Sequence, residues 1–408
     1  MLAILPLTEA QRFITRKTVR LSEAEGVVAP ILEAVRKRGD EAVMEYARQF
    51  DGFEGASFAV PTAGASATTE FSAALETAAK NIRQYAALQL PREMSIETAD
   101  GRRLGCIVRP LESMGAYIPA GRYPLPSTLL MTAIPAQVAG VGTIAVTSPH
   151  PSPEILATAK FLGIDNIFRV GGAQAIAALA FGTASIPKVD RIVGPGNIYV
   201  AAAKKLLAGE VGIDFVAGPT EIVIIAEDGD PRWIAADMLA QAEHDTEASS
   251  ILLTTSRTLA EAVAQEVARQ LENLPTAPVA CEAIRKNSAV ILCPSVDAAV
   301  EASNRLAPEH LVIYDSGLLP QIRHAGSIFM GATSPEAAGD YATGPNHVLP
   351  TSGAARIRGG LSSADFVKVI SVQEVTAAAL RSLAPAITTL ARAEGLEAHA
   401  RSVEVRLG

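Results

Sequence analysis

Residues 167–207 read IFRVGGAQAIAALAFGTASIPKVDRIVGPGNIYVAAAKKLL. A short apolar run, Ile167–Val170, meets Gly171-Gly172 and passes into an alanine-rich helical segment, Ala173–Phe181. The same figure then repeats: Val189–Val193, the turn Gly194-Pro195-Gly196, and the helical segment Asn197–Leu207. Continuous apolar strands alternating with helices imply a parallel sheet covered on both faces. A glycine turn opening a helix exposes backbone N–H groups toward an anion such as a pyrophosphate. Two such turns would stand side by side at the strands' carboxyl ends, where open α/β sheets bind ligands. Either turn also reads as a plain β-to-α connection.

The alternation extends outward. Further strands are predicted at Thr143–Thr147, Asp214–Ala217, Ile222–Ala226, Ile251–Thr254, Ala289–Cys293 and Leu311–Tyr314, with helices such as Glu154–Leu162, Trp233–Gln241 and Leu259–Leu271 between them. That is more strands than one compact sheet usually holds, so two units are expected, joined near Gly218-Pro219. Ser22–Arg38, opening on a capping pattern, and Phe71–Leu88 read as helices, with a loop at Ala59–Thr69. Two more helices, Val372–Leu383 and Pro385–Ser402, close the chain. The expected fold is α/β: two Rossmann-like parallel-sheet units with helices on both faces, plus helical N- and C-terminal segments. The expected domains are a discontinuous larger one (1–115 with 220–360), a second α/β domain (116–219) and a C-terminal helical segment (361–408).

The 408 residues are 49% hydrophobic and 19% charged, which excludes intrinsic disorder. A net charge of −8 makes nucleic acid a poor partner. Cys106, Cys281 and Cys293, without CxxC spacing, read as reduced thiols of a cytoplasmic protein. Residues 123–153 lack charge, but prolines interrupt them, Pro124, Pro126, Pro135, Pro149 and Pro151 among them, so no membrane span is expected. No G-x-G-x-x-G follows a strand, so composition and spacing do not show a nicotinamide cofactor.

Six histidines sort by neighbourhood. Gln241 and His244, at i and i+3 on a helix, can converge on one metal, or simply end the helix. Glu309-His310 offers an acid/base pair, provided the backbone turns near Pro308, or is strand-edge polarity. Asp340 and His347 share a loop stiffened by Pro345 and Pro350, which suits a site. His399, five residues after Glu394, reads as part of a surface helix, and His150 and His324 as structural or surface residues.

Taken in order, Gly115-Ala-Tyr-Ile-Pro, Gly171-Gly-Ala-Gln, Val193-Gly-Pro-Gly-Asn-Ile-Tyr, Ala217-Gly-Pro-Thr-Glu, Gln241-Ala-Glu-His-Asp, Ala307-Pro-Glu-His-Leu, Gly339-Asp-Tyr and Gly344-Pro-Asn-His resemble the histidinol dehydrogenase family, from about residue 20 to the C-terminus. The resemblance implies oxidation of L-histidinol to L-histidine through L-histidinaldehyde in two NAD-dependent steps, the last of histidine biosynthesis. It implies one zinc per site on Gln241, His244, Asp340 and His399. It further implies a homodimer with shared active sites, the C-terminal segment reaching the partner subunit. Glu309 and His310 match the acid/base pair, Tyr117, Gln174 and Asn197 the NAD contacts. Thr220, His347 and Glu394 match substrate contacts, joined by the metal ligands and His310. Two departures stand out: Thr220 where Ser is usual, and Pro119-Ala-Gly-Arg-Tyr in place of a Pro-Gly-Gly stretch. Arg122 and Tyr123 there bear on how NAD or substrate is seated, and an Arg suits an anionic substrate, so another small polar alcohol such as a sulfonated diol is the alternative. A zinc hydrolase, with Glu309 activating water, is more distant.

Overall fold

A computed structural model describes residues 2–14, 19–120, 123–216 and 218–408. They form two compact units, Met1–Gln89 with Glu112–Phe366, and Leu90–Leu111 with Val367–Gly408.

The first unit holds two six-stranded sheets. In one, the spatial order is Ala3–Pro6, Ala289–Leu292, Ser249–Thr254, Glu221–Ile225, His310–Ile313, Ser327–Met330, all parallel. In the other it is Ala59–Pro61, Asn166–Phe168, Thr143–Thr147, Ser113–Tyr117, Arg191–Val193, Gly212–Ile213, parallel except for the first pair. Leaving aside the edge strand donated by the N-terminal region, both sheets run 3-2-1-4-5 in sequence order. Each thus has a switch point between its first and fourth strands.

Both faces of the first sheet are covered. Ile222 and Ile224 pack with the helices Pro231–Ala242, Arg257–Leu271 and Ala277–Asn287, while Val223 and Ile225 pack with Val296–Leu306. That two-sided burial is why these strands read as unbroken apolar runs. In the second sheet Ala145 and Ile192 meet Val19–Arg38, Asp40–Asp51, Gly172–Phe181 and Ile198–Leu207.

Several expectations are corrected. Ser22 lies inside the helix Val19–Arg38 and does not open it. Ala59–Pro61 is an edge strand within the expected loop. The last strand of the second sheet is Gly212–Ile213, and Ala217, placed in a strand by its sequence, lies outside the described residues. Ser113–Tyr117 is a central strand that sequence reading passes over, because Met-Gly-Ala carries no β-branched signal.

The second unit also departs from an all-helical reading. Val367–Val375 is a strand, antiparallel to Arg102–Pro110, which also pairs with Met94–Glu97. Val, Ile and Val alternating with Lys, Ser and Gln favour a strand exposed on both faces. The helix starts only at Ala377, where the Thr376 hydroxyl accepts from Ala379 N–H at 3.2 Å. Ala377–Ala393 is followed by Glu397–Glu404. Among the described residues no helix is long and apolar enough to cross a membrane.

Candidate active site

Within the first unit a groove of about 1630 Å³ runs between the two sheets. That exceeds the space one small ligand fills and suits two ligands side by side. On one side it meets the second sheet at the carboxyl ends of its strands, through Tyr117, Gly172, Gln174, Pro195 and Asn197. On the other it meets the first sheet at the amino ends, through Thr220, Glu221, Ser249, Glu309 and His310. The helices Pro231–Ala242, Ala277–Asn287 and Val296–Leu306 end there, so their negative ends favour a cation. The helices Gly172–Phe181 and Ile198–Leu207 begin at the opposite side, where positive ends favour an anion.

At the acidic side one hydrogen-bond chain links three elements. Gln241, fully buried in the last turn of its helix, donates through Nε2 to Thr220 Oγ1 at 2.6 Å. Thr220 Oγ1 donates to Glu309 Oε2 at 2.5 Å, and Glu221 N–H reaches the same oxygen at 2.9 Å. Gln241 Oε1 is left buried without a hydrogen-bond partner. The helix Val296–Leu306 closes on Ala307 in the left-handed conformation, φ 49°, which turns the chain so that Glu309 and His310 share the site. Glu309 Oε2 lies 3.8 Å from His310 Nδ1, which donates to the Glu221 carbonyl at 3.3 Å. His310 Nε2 has no hydrogen-bond partner and stands 3.7 Å from Asp340 and 3.9 Å from Glu336.

Asp340 gathers the histidines. His244 Nε2 approaches its carboxylate at 3.8 Å, and His347 Nδ1 donates to its backbone carbonyl at 2.8 Å. The other ring nitrogen of His347 meets Thr128 Oγ1 at 3.3 Å. His244, Glu336 and Asp340 bring their ligand atoms within 4.8 Å of one another, spacing that a metal ion accepts.

Burial raises Glu309 to about 7, against the pull of His310 and Thr220. Burial works against a charged His310, but Glu309, Asp340 and Glu336 outweigh it and hold the ring up at about 10. Burial also pushes Glu336 up, whereas His310, His347 and His244 overcome it at Asp340 and hold that carboxyl low. Glu336 is a residue the sequence reading missed. It stands at i−4 from Asp340 on the short helix Glu336–Tyr341, a shared face that the i, i+4 spacing alone would have suggested.

The glycine turns overturn one expectation. Gly171 N–H is taken by Asp51 Oδ2 at 2.9 Å and Gly172 N–H by the Tyr117 hydroxyl at 3.2 Å. Gly194 N–H is taken by Asp214 at 2.8 Å, and Asn197 Oδ1 caps Tyr199 and Val200. These N–H groups are closed by side-chain oxygens and do not form open anion cradles. Tyr117, Gln174 and Asn197 nevertheless line the groove, and exposed His150 lines it too. Arg122 lies outside the described residues, while Tyr123 faces the groove. Glu394 and His399 belong to the second unit, Glu394 ending one helix and His399 lying on the next.

Comparison with known proteins gives one answer. The family model for histidinol dehydrogenase matches residues 14–407. A histidinol dehydrogenase of Geobacter sulfurreducens is 48% identical over 401 residues, 94% of either chain. One of Geobacter metallireducens is 49% identical over 402 residues, 94% of this chain and 92% of the relative. The crystal structure of histidinol dehydrogenase from Elizabethkingia anophelis superposes with a TM-score of 0.93 at 38% identity, covering 100% of this chain and 98% of that one. On that evidence of sequence and fold together, the chain belongs to the histidinol dehydrogenase family and is an oxidoreductase.

Proposed function

We propose that this protein oxidises L-histidinol to L-histidine through L-histidinaldehyde, with NAD as acceptor and zinc at the acidic side of the groove. The observation that carries this reading is the buried Gln241 Oε1 left without a partner, three residues before His244, whose ligand atom clusters with those of Asp340 and Glu336. Thr220 fixes the amide so that its oxygen is the free atom, the donor a metal needs. Gln241, His244 and Asp340 would hold the zinc, with His399 supplied by a second copy in a cytoplasmic homodimer. When bound, zinc supplies a fixed grip on the substrate's nitrogens, and NAD supplies the hydride acceptor.

The remaining work falls to side chains of this chain. Tyr117, Gln174 and Asn197 seat the dinucleotide at the side where helices begin. Thr220 and His347 seat the substrate, joined by Glu394 from the second copy that supplies His399. His310 Nδ1 is fixed by the Glu221 carbonyl, so Nε2 is the atom that takes the hydroxyl proton in the first oxidation, once a bound cation offsets the carboxylates that otherwise hold the ring protonated. Glu309, whose Oε2 is occupied by Thr220 and Glu221, takes a proton from the water that adds to the aldehyde. The resulting hydrate gives up the second hydride.

The test is stoichiometric. The zinc-loaded protein mixed with L-histidinol and excess NAD should release two NADH for each histidinol consumed, with histidine as product. Chelation should stop turnover and added zinc restore it. Hydrolysis without NADH, or no turnover by the folded, zinc-replete protein, would overturn the reading.

A further inference from the structure

In a parallel sheet of order 3-2-1-4-5, the adenosine ribose of a dinucleotide lies over the end of the second strand, where a carboxylate commonly receives its hydroxyls. Here the second strand is Thr143–Thr147, and the residues after it, Ser148-Pro149-His150, include no acid. The carboxylate comes from elsewhere. Asp51 ends the helix Asp40–Asp51 and lines the groove, nine-tenths buried. Its Oδ2 accepts from Gly171 N–H at 2.9 Å and from Gln174 Nε2 at 3.1 Å. Its Oδ1 has no hydrogen-bond partner among the described residues.

Gly171 locates that oxygen. A Cβ built on Gly171 would stand 2.7 Å from Pro149 Cβ and 3.0 Å from Asp51 Oδ1. The free oxygen therefore lies beside the residues that follow the second strand. We propose that Asp51 selects the unphosphorylated ribose of NAD: Oδ1 accepts from a ribose hydroxyl and repels the 2′-phosphate of NADP. This rests on the reading that NAD occupies this side of the groove. The surrounding charge sharpens the argument, because His150 and Arg169 both act electrostatically on Asp51. With the carboxylate neutralised, the influence of His150 and Arg169 would remain, and a 2′-phosphate would be accepted.

The experiment measures binding as well as turnover. Calorimetric titration of the intact protein with NAD and with NADP gives the ratio of their affinities. The Asp51→Asn variant should shift that ratio toward NADP by about tenfold or more, and Asp51→Glu should keep the wild-type preference. An equal change for both nucleotides would reduce Asp51 to a support of the Gly171 turn and overturn the proposal. His150→Arg, at an exposed position, guards against a variant that fails to fold: it should strengthen NADP selectively. Unmoved NADP affinity there would place the 2′-phosphate elsewhere and overturn the proposal too. Wild-type protein that binds neither nucleotide would instead remove the cofactor reading itself.

Discussion

The Thr220 hydroxyl has two partners and two consequences. By accepting from Gln241 Nε2 it leaves Gln241 Oε1 as the free atom, and by donating to Glu309 it holds that carboxylate in place. Thr220→Val keeps the shape and removes both bonds, so zinc affinity should fall about 10–100-fold, as for other residues that orient a ligand. Thr220→Ser, which restores the hydroxyl, should bind zinc like the parent; metal-competition titration compares them. Glu309 carries a second prediction. Burial raises its carboxyl to about 7, so the base is ionised above that pH and protonated below it. Oxidation of supplied histidinaldehyde should therefore decline as pH falls through about 7 and level off above it. Glu309→Gln should abolish that limb together with most of the rate, and a rate unchanged in the variant would refute the assignment.

Between strand and helix, the Gly194 turn depends on a buried ion pair. Lys204 and Asp214 form a salt bridge, both essentially without solvent exposure. Asp214 accepts from Gly194 N–H at 2.8 Å, and Lys204 Nζ donates to the Gly194 carbonyl at 3.1 Å. Gly194 itself has φ 112°, and a Cβ there would stand 2.2 Å from the Tyr117 carbonyl, so no other residue fits. Lys204→Met would strand Asp214 as a buried, unpaired charge and should cost about 3–5 kcal/mol, read by denaturant unfolding. A loss below about 1 kcal/mol would show the pair is not needed. This element also shows what sequence can tell. The strand–glycine–helix figure was legible from apolar runs and turn residues, but who satisfies the turn was not, because Asp51 acts on Gly171 across 120 positions. Glu309 and His310 were legible as neighbours in the chain. Glu336 went unread: its i, i+4 spacing from Asp340 marks a shared face, but a six-residue helix has too little periodicity to say that this face turns inward. Val367–Val375 was misread because its partner, Arg102–Pro110, lies some 260 residues away and local pattern does not register it.

Across the molecule, one strand order is used twice and read from opposite ends. The second sheet offers the groove its carboxyl ends and helix starts, the first its amino ends and helix finishes, so one cleft has a side for an anion and a side for a cation. The fold class was open to the sequence, whereas this reversal depends on the packing of whole sheets. The metal side also bears on assembly. Gln241, His244 and Asp340 lie in the first unit, and His399, the fourth ligand of the proposed set, lies in the second. If His399 serves the site of a second copy, two inactive variants should complement each other. In a heterodimer of His399→Asn with His310→Asn, one site takes its intact His310 from the first chain and its intact His399 from the second. The other site carries both substitutions. Random reassociation of equal amounts makes half the dimers mixed, so about a quarter of wild-type activity should return. If His399 serves its own chain, every site in the mixture keeps one defect and no activity returns, even where mass spectrometry shows that heterodimers have formed.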